Sequence, residues 1–184
     1  VQHLAALRHN RIAFIAGPSN LKSAMARKAA FKTSMGEIGL SADLIIEGNH
    51  RMDGGMRSLV EFNNLPKPPT AVLCSNDMTA IGVMREAYDQ GIKIPNDLSV
   101  VGFDDIRLAE FTIPPLTTVQ MSQMELAKVA FEALLKEAQR ETPSRERTEY
   151  ELNTSLVLRR STALARPAKS VTKLRKENAG SLLG

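Results

Sequence analysis

Two adjacent carboxylates, Asp104 and Asp105, end the apolar run SVVGF at residues 99–103. Acids at the end of a buried strand are placed to accept hydrogen bonds from something beyond the sheet. Other polar groups stand at comparable points. Ser23 and Arg27 follow the run RIAFIA and, four residues apart, share one face of a helix. His50 follows DLIIE through Gly48 and Asn49, while Ser75, Asn76 and Asp77 follow TAVLC. Together these offer a guanidinium, an amide, an imidazole, hydroxyls and carboxylates. Such a set suits a neutral polyhydroxylated ligand: carboxylates accept from pairs of hydroxyls, and Arg and Asn donate to ring or hydroxyl oxygens. Each group also has a plainer reading. Asn76 and Asp77 are good helix caps, Arg27 a solvated helix charge, His50 an ordinary loop histidine, and paired acids a turn.

Catalytic patterns are missing. The sequence contains no G-x-S-x-G, no Walker-type phosphate loop and no G-x-G-x-x-G after its first apolar run. Its histidines (His3, His9 and His50) and its lone Cys74 lack metal-ligand spacing. The expectation is a binding module, not an enzyme, with no metal and no cofactor.

The elements that would carry these groups alternate. RIAFIA (11–16) reads as a strand stopped by Gly17-Pro18, and Ser19 or Asn20 then caps a helix to about Gly39 with Phe31, Met35 and Ile38 on one face. DLIIE (43–47) is a second strand and residues 52–64 a second helix. TAVLC (70–74) is a third strand, followed by a helix carrying Ile81, Met84 and Tyr88 that Gly91 closes. LSVVGF (98–103) is a fourth strand. After the bend IPPLTTV (113–119), S-Q-M-E at residues 122–125 is a capping box starting a helix to about Arg140. A last alternating strand covers 149–158. Strands alternating with helices imply crossovers, hence an α/β fold: a doubly wound, mostly parallel sheet covered on both faces. Ligands bind beyond the carboxyl ends of such strands. All four polar groups fall there.

At 184 residues the chain can bury one full core. No apolar run reaches the roughly 20 residues of a bilayer span, and no charged-then-apolar leader opens the sequence. One cysteine excludes an internal disulfide and fits a reducing compartment, so a cytoplasmic protein is expected. The net charge of +4 suggests nucleic acid until it is located. Residues 167–184 hold Lys169, Lys173, Arg175 and Lys176 against Glu177, leaving only +1 for the rest. A polar basic tail, read as disordered, carries most of the charge.

RIAFIAGP with Arg27 and Phe31, PTAVLCSND, SVVGFDD and IPPLTTV, in this order and spacing, resemble the lactose/galactose-repressor (LacI/GalR) family over about residues 1–163. The resemblance implies a periplasmic-binding-protein-like (type I) core of two α/β lobes with the effector in the cleft between them. It also implies a helix-turn-helix headpiece for operator DNA, upstream of these residues. Residues 1–10 would end the last N-terminal-lobe helix, 11–120 form the C-terminal lobe, and 121–148 cross to the other lobe. Residues 149–163 would return as a strand, leaving 164–184 as tail. Carried over position by position, Ser23, Arg27, Asn76 and Asp104 match effector contacts, and His50 stands where many members place an aromatic ring. A small sugar or sugar derivative is the implied effector. The resemblance further implies a homodimer through Met78, Ile81, Met84 and Tyr88 on one helix and Leu108 and Phe111 in the loop after FDD, with Ile113 beside them. A sugar-binding component of a transport system shares the fold and is the competing class.

Overall fold

A computed structural model of the chain describes residues 1–140, 150 and 152–166. Its frame is a six-stranded sheet. Strands β1 (Ile12–Ala16), β2 (Ile45–Glu47), β3 (Ala71–Cys74), β4 (Ser99–Asp104) and β5 (Thr117–Met121) are parallel, and β6 (Thr154–Val157) pairs antiparallel with β5. The order is β2-β1-β3-β4-β5-β6. The chain therefore builds outward from β1 in one direction and then restarts on its other side. That reversal opens a crevice at the carboxyl ends of β1 and β3.

The strands are short and apolar because both faces are covered. All five residues of β1 are buried. On one face, α1 (Gln2–Ala6) and α2 (Lys22–Glu37) lay Leu4, Phe31 and Met35 against Ile12, Phe14 and Val101. Phe14 and Phe31 stack with centroids 4.9 Å apart. On the other face, α3 (Met52–Asn63) and α4 (Asp77–Asp89) bury Leu59, Phe62, Ile81, Val83 and Met84. Two of the positions expected at a dimer surface, Ile81 and Met84, are thus in the chain's own core. Tyr88, Leu108, Phe111 and Ile113 are exposed and Met78 is half-buried. The reason is the close approach of α3 and α4. A Cβ on Gly82 would lie 2.0 Å from the Met52 carbonyl oxygen, so the two backbones nearly touch and draw the whole inner face of α4 inward.

Helix α2 differs from expectation at both ends. The N-cap of α2 is Leu21, without a side-chain hydrogen bond, instead of Ser19 or Asn20. Those residues are occupied by a turn in which Leu21 N donates to Pro18 O, while Ser19 N donates to the Glu47 carboxylate. Ile38, expected on the buried face, is the exposed C-cap. The caps at Asn76 and Ser122 form as the sequence suggests, accepting from Thr79 N and Glu125 N. Gly91, with φ of 70°, closes α4.

Asp77 is more than a cap. It is fully buried, and its carboxylate accepts from Thr118 Oγ1 at 2.5 Å and from Ile106 N at 2.9 Å. One side chain thereby joins the first turn of α4, strand β5 and the loop after β4. Burial, followed by the nearby charges of Asp104 and Asp105, pushes its pKa above the usual carboxylate value despite those two hydrogen bonds. At the opposite edge of the sheet, buried His9 bonds Thr70, Ser99 and the Ala163 carbonyl. Ala165 N donates to Leu7 O and Arg166 pairs with Asp97, so residues 164–166, assigned to the tail from sequence, lie on the body. Residues 167–184, like 141–148 of the expected crossing, fall outside the described residues. IPPLTTV does not itself leave the lobe. Its second half is β5, and the chain departs at Ser122 into α5 (Gln123–Ala138), which buries none of its residues.

Three substitutions test this packing. Gly82→Ala should lower the free energy of unfolding by about 1–3 kcal/mol in urea titrations, the range for overpacking. Gly36→Ala, with nothing within 4 Å of the new Cβ, should be neutral or stabilising. Asp77→Ala should cost about 2–4 kcal/mol, because it leaves the buried Thr118 hydroxyl and the part-buried Ile106 N without their acceptor. An exposed cap would cost only about 1 kcal/mol. A loss no greater than that would return Asp77 to a simple cap.

Candidate functional site

The carboxyl ends of β1, β3 and β4 converge on Arg27. This residue projects from the second turn of α2, and three partners fix its guanidinium. Nη1 donates to the Ser75 carbonyl at 2.5 Å, just past the end of β3. The Phe103 ring lies beneath it, 3.7 Å from guanidinium carbon to centroid. Nη2 stands 3.6 Å from Asp104 Oδ1. Phe103 and Asp104 are neighbours that a regular strand would turn to opposite faces. Asp104 escapes that alternation through its φ of 112°, in the left-handed half of backbone space, as does Asp105 at 52°. Non-glycine residues adopt such angles at a cost, and they concentrate at sites that bind.

The Arg27–Asp104 pair is loose and partly open, its side chains 22% and 33% exposed. A pair of this exposure contributes about 0–1 kcal/mol to stability. Its charges are therefore available to an incoming polar ligand at little expense. Burial raises the Asp104 pKa, against the opposing pull of Arg27 and His50. Burial likewise lowers the Arg27 pKa, against Asp104, without threatening its charge.

His50 completes one side. Burial first, and Arg27 second, lower its pKa, so the ring is neutral at pH 7 and offers one donor and one acceptor. Its backbone has φ of 60°. The ring takes the space a side chain at residue 17 would need: a Cβ on Gly17 would stand 1.8 Å from His50 Nε2. Asn76 holds this loop, its amide donating to the His50 carbonyl at 3.0 Å while its oxygen caps α4. Most of the hydrogen-bonding capacity of Asn76 is thus spent on structure.

Four of the five residues singled out from sequence, Arg27, His50, Asn76 and Asp104, form one cluster. Ser23 is exposed one turn before Arg27 and stands apart from these contacts. Sequence reasoning placed Ser75 among the polar groups after β3 but missed its role: its carbonyl fixes Arg27, and its hydroxyl is buried without a hydrogen-bond partner, as is His50 Nε2. It also overlooked Phe103. The signal was present: an aromatic beside an acid at a strand end, facing a helical arginine, is a cation–π arrangement. Behind Arg27 lies a mainly apolar cavity of about 480 Å³, lined by Phe14, Phe31, Leu73, Val101 and Phe103 among others. Of the four clustered residues only Arg27 borders it. The hydrogen-bond donors and acceptors stand instead at the polar edge formed by Arg27, His50, Asn76 and Asp104. Among the described residues no group of three or more His, Cys, Asp or Glu could hold a metal ion. No described helix is long and apolar enough to cross a membrane.

The periplasmic binding protein-like domain model matches residues 1–162. The HTH-type transcriptional repressor PurR of Vibrio atlanticus (strain LGP32) is 39% identical over 129 residues, covering 69% of this chain and 39% of that protein. The HTH-type transcriptional repressor CytR of Escherichia coli (strain K12) is 36% identical over 141 residues, covering 76% and 41%. The chain thus spans about two fifths of the length of these relatives. Among solved structures, a dimeric Lac repressor with a C-terminal deletion superposes with TM-score 0.81 at 32% identity, covering 89% of this chain and 59% of that one. A LacI-family regulator from Mycobacterium smegmatis gives 0.78 at 28% identity, covering 89% and 61%. The chain belongs to the periplasmic binding protein-like domain family, in the branch whose relatives and structural neighbours are LacI-type repressors.

Proposed function

We propose that this chain is the effector-sensing part of a LacI-type transcriptional regulator working in the cytoplasm. It binds a small polyhydroxylated ligand, a sugar or sugar derivative, at the strand edge formed by Arg27, His50, Asn76 and Asp104, with Ser23 on the rim. A second lobe closes the cleft, and a helix-turn-helix headpiece outside these residues carries operator contact. The observation that supports this most is the loose Arg27–Asp104 pair at the reversal point of the sheet.

Arg27 is set in place by Ser75 and Phe103 before any ligand arrives, so little side-chain freedom is lost on binding. Asp104 accepts from a pair of hydroxyls, Arg27 and the Asn76 amide donate to ring or hydroxyl oxygens, and neutral His50 does either. Effector binding then favours one arrangement of the two lobes, and operator affinity follows that arrangement. The competing reading, a transport component, has the same fold and edge; relatives named as repressors favour the regulator.

The regulator acts as a homodimer. Tyr88, Leu108, Phe111 and Ile113 are 78%, 48%, 66% and 95% exposed, large apolar groups near the end of α4 and in the loop after β4. Ile81 and Met84, on the same helix as Tyr88, are core residues. Met78 is half-buried on the same helix.

Titration calorimetry of the full-length regulator against pentoses, hexoses and nucleosides tests the site. Asp104→Ala should weaken the best binder by about 1.5–3 kcal/mol, the scale for hydrogen bonds to a charged group. Equal affinity in the variant would remove Asp104 from the site. In sedimentation, the doubly substituted Leu108→Glu, Phe111→Glu protein should run as a folded monomer where the wild type is a dimer. Identical behaviour of the two would disprove the interface.

A further inference from the structure

The turn that presents Asp104 is held from two sides, and one side belongs to the strands that leave the lobe. From α4, the buried Asp77 carboxylate accepts from Ile106 N. From the opposite direction, Arg159, two residues past β6, places Nη2 2.7 Å from Asp105 Oδ1. The two side chains are only 13% and 10% exposed, so water screens the pair little. Gln120 on β5 donates to the other oxygen of Asp105 at 2.9 Å. Arg159 is itself fixed. Nη1 donates to the Leu116 carbonyl, its backbone N donates to Thr117 Oγ1, and Nη2 also reaches Glu110 at 3.4 Å.

Consecutive residues with positive φ do not hold such a conformation unaided. Asp104 makes only the loose contact with Arg27, whereas Asp105 has a closer, less exposed ion pair with Arg159 and a hydrogen bond from Gln120. Its conformation, imposed by Arg159 and Gln120, fixes the peptide that orients the carboxylate of Asp104. Both anchors sit on the β5–β6 ribbon, which runs out to α5, a helix with no buried residue on this body.

We propose that Arg159, assisted by Gln120, is a positioning residue that holds the Asp104–Asp105 turn through Asp105 and ties the ligand-facing carboxylate to the ribbon carrying α5. A displacement of α5 relative to the sheet would pass along β6 to Arg159 and alter the aim of Asp104. Conversely, a ligand on Asp104 would bias the ribbon. The role for the ligand rests on the effector reading above; the hold on the turn does not.

The test uses the full-length protein as wild type, Arg159→Gln and Arg159→Lys, with Asp104→Ala as a site reference. Hydrogen–deuterium exchange is followed without ligand. Peptides covering residues 103–107 should exchange at least tenfold faster in Arg159→Gln, with peptides of β1 and β3 unchanged. Lysine keeps the charge but cannot reach Asp105 and the Leu116 carbonyl together, so Arg159→Lys should give an intermediate, equally local increase. It serves alone if the glutamine variant does not fold. Uniform acceleration over the chain would reduce Arg159 to a general stabilising contact and overturn the proposal, as would no change. Binding of D-ribose, D-glucose and D-galactose provides the second arm. Any of these that binds the wild type should lose about tenfold in affinity in Arg159→Gln and recover in part in Arg159→Lys. Loss in Asp104→Ala without loss in Arg159→Gln would overturn the proposal and keep the effector site. Indifference of a binding sugar to Asp104→Ala would refute the effector reading instead, and the exchange result would still decide the turn.

Discussion

A buried carboxylate, Asp77, governs the part of the molecule where α4, β4 and β5 meet. Removing a charged group from water is costly unless it is hydrogen-bonded and electrostatically supported. Here the support comes from the first turn of α4, whose free N–H groups favour a negative charge, from the Thr118 hydroxyl and from Ile106 N. Each partner is on a different element. Satisfying one charge therefore fixes the spacing of a helix, a strand and a loop at once. Room for the carboxylate exists because residue 102 is glycine; a Cβ there would stand 2.0 Å from Asp77 Oδ1. The turn that carries Asp104 begins two residues later, so the position of the candidate ligand contact follows from this buried charge.

Much of this architecture was legible in the sequence because it rests on local signals. Short apolar runs separated by amphipathic stretches mark β1, β3 and β4, and the rule that polar groups gather at strand ends located Arg27, His50, Asn76 and Asp104 together. The caps at Asn76 and Ser122 were legible because their side chains act within three residues. What escaped depends on contacts between distant residues. Ser19 and Asn20 have the chemistry of caps, yet the turn from Pro18 to Leu21 and the bond from Ser19 to Glu47 take them out of position. Asp77 looks like any helix-starting acid until Thr118, 41 residues away, bonds to it. Arg159 is an unremarkable basic residue in sequence. Its partner Asp105 lies 54 positions earlier, and nothing at either position announces the other.

Helix α5 shows the opposite case, an element that is locally complete and unpacked. Its Ser122 N-cap is formed, and Lys128 and Glu132 pair one turn apart at 4.0 Å. Such local terms contribute roughly 0.3–1 kcal/mol each, whereas a protein helix owes most of its stability to packing. Met124, Leu126, Phe131, Leu134 and Leu135 are all exposed, and β6 beside the sheet is mostly exposed as well. Helix and strand together form an arm whose apolar side chains require a partner surface, consistent with a chain that spans about two fifths of its relatives' length. Among the described residues the packing is concentrated around the sheet, and α5 buries none of its side chains there.

The two charges of the candidate site are held in different ways. Arg27 is fixed to the lobe's interior by the Ser75 carbonyl and the Phe103 ring, neither of which depends on β5 or β6. Asp104 is fixed through its neighbour to the ribbon at the lobe's margin. The 3.6 Å gap between them is where a part anchored to the core meets a part anchored to the ribbon. A ligand bridging the two would bind best at one separation. Any motion of the ribbon that changed that separation would change affinity, and by reciprocity the bound ligand would resist the motion. A tighter, fully formed ion pair would bind the two parts together permanently and leave no acceptor free. On the proposed reading, the looseness of Arg27–Asp104 would let the same two side chains recognise a ligand and respond to it.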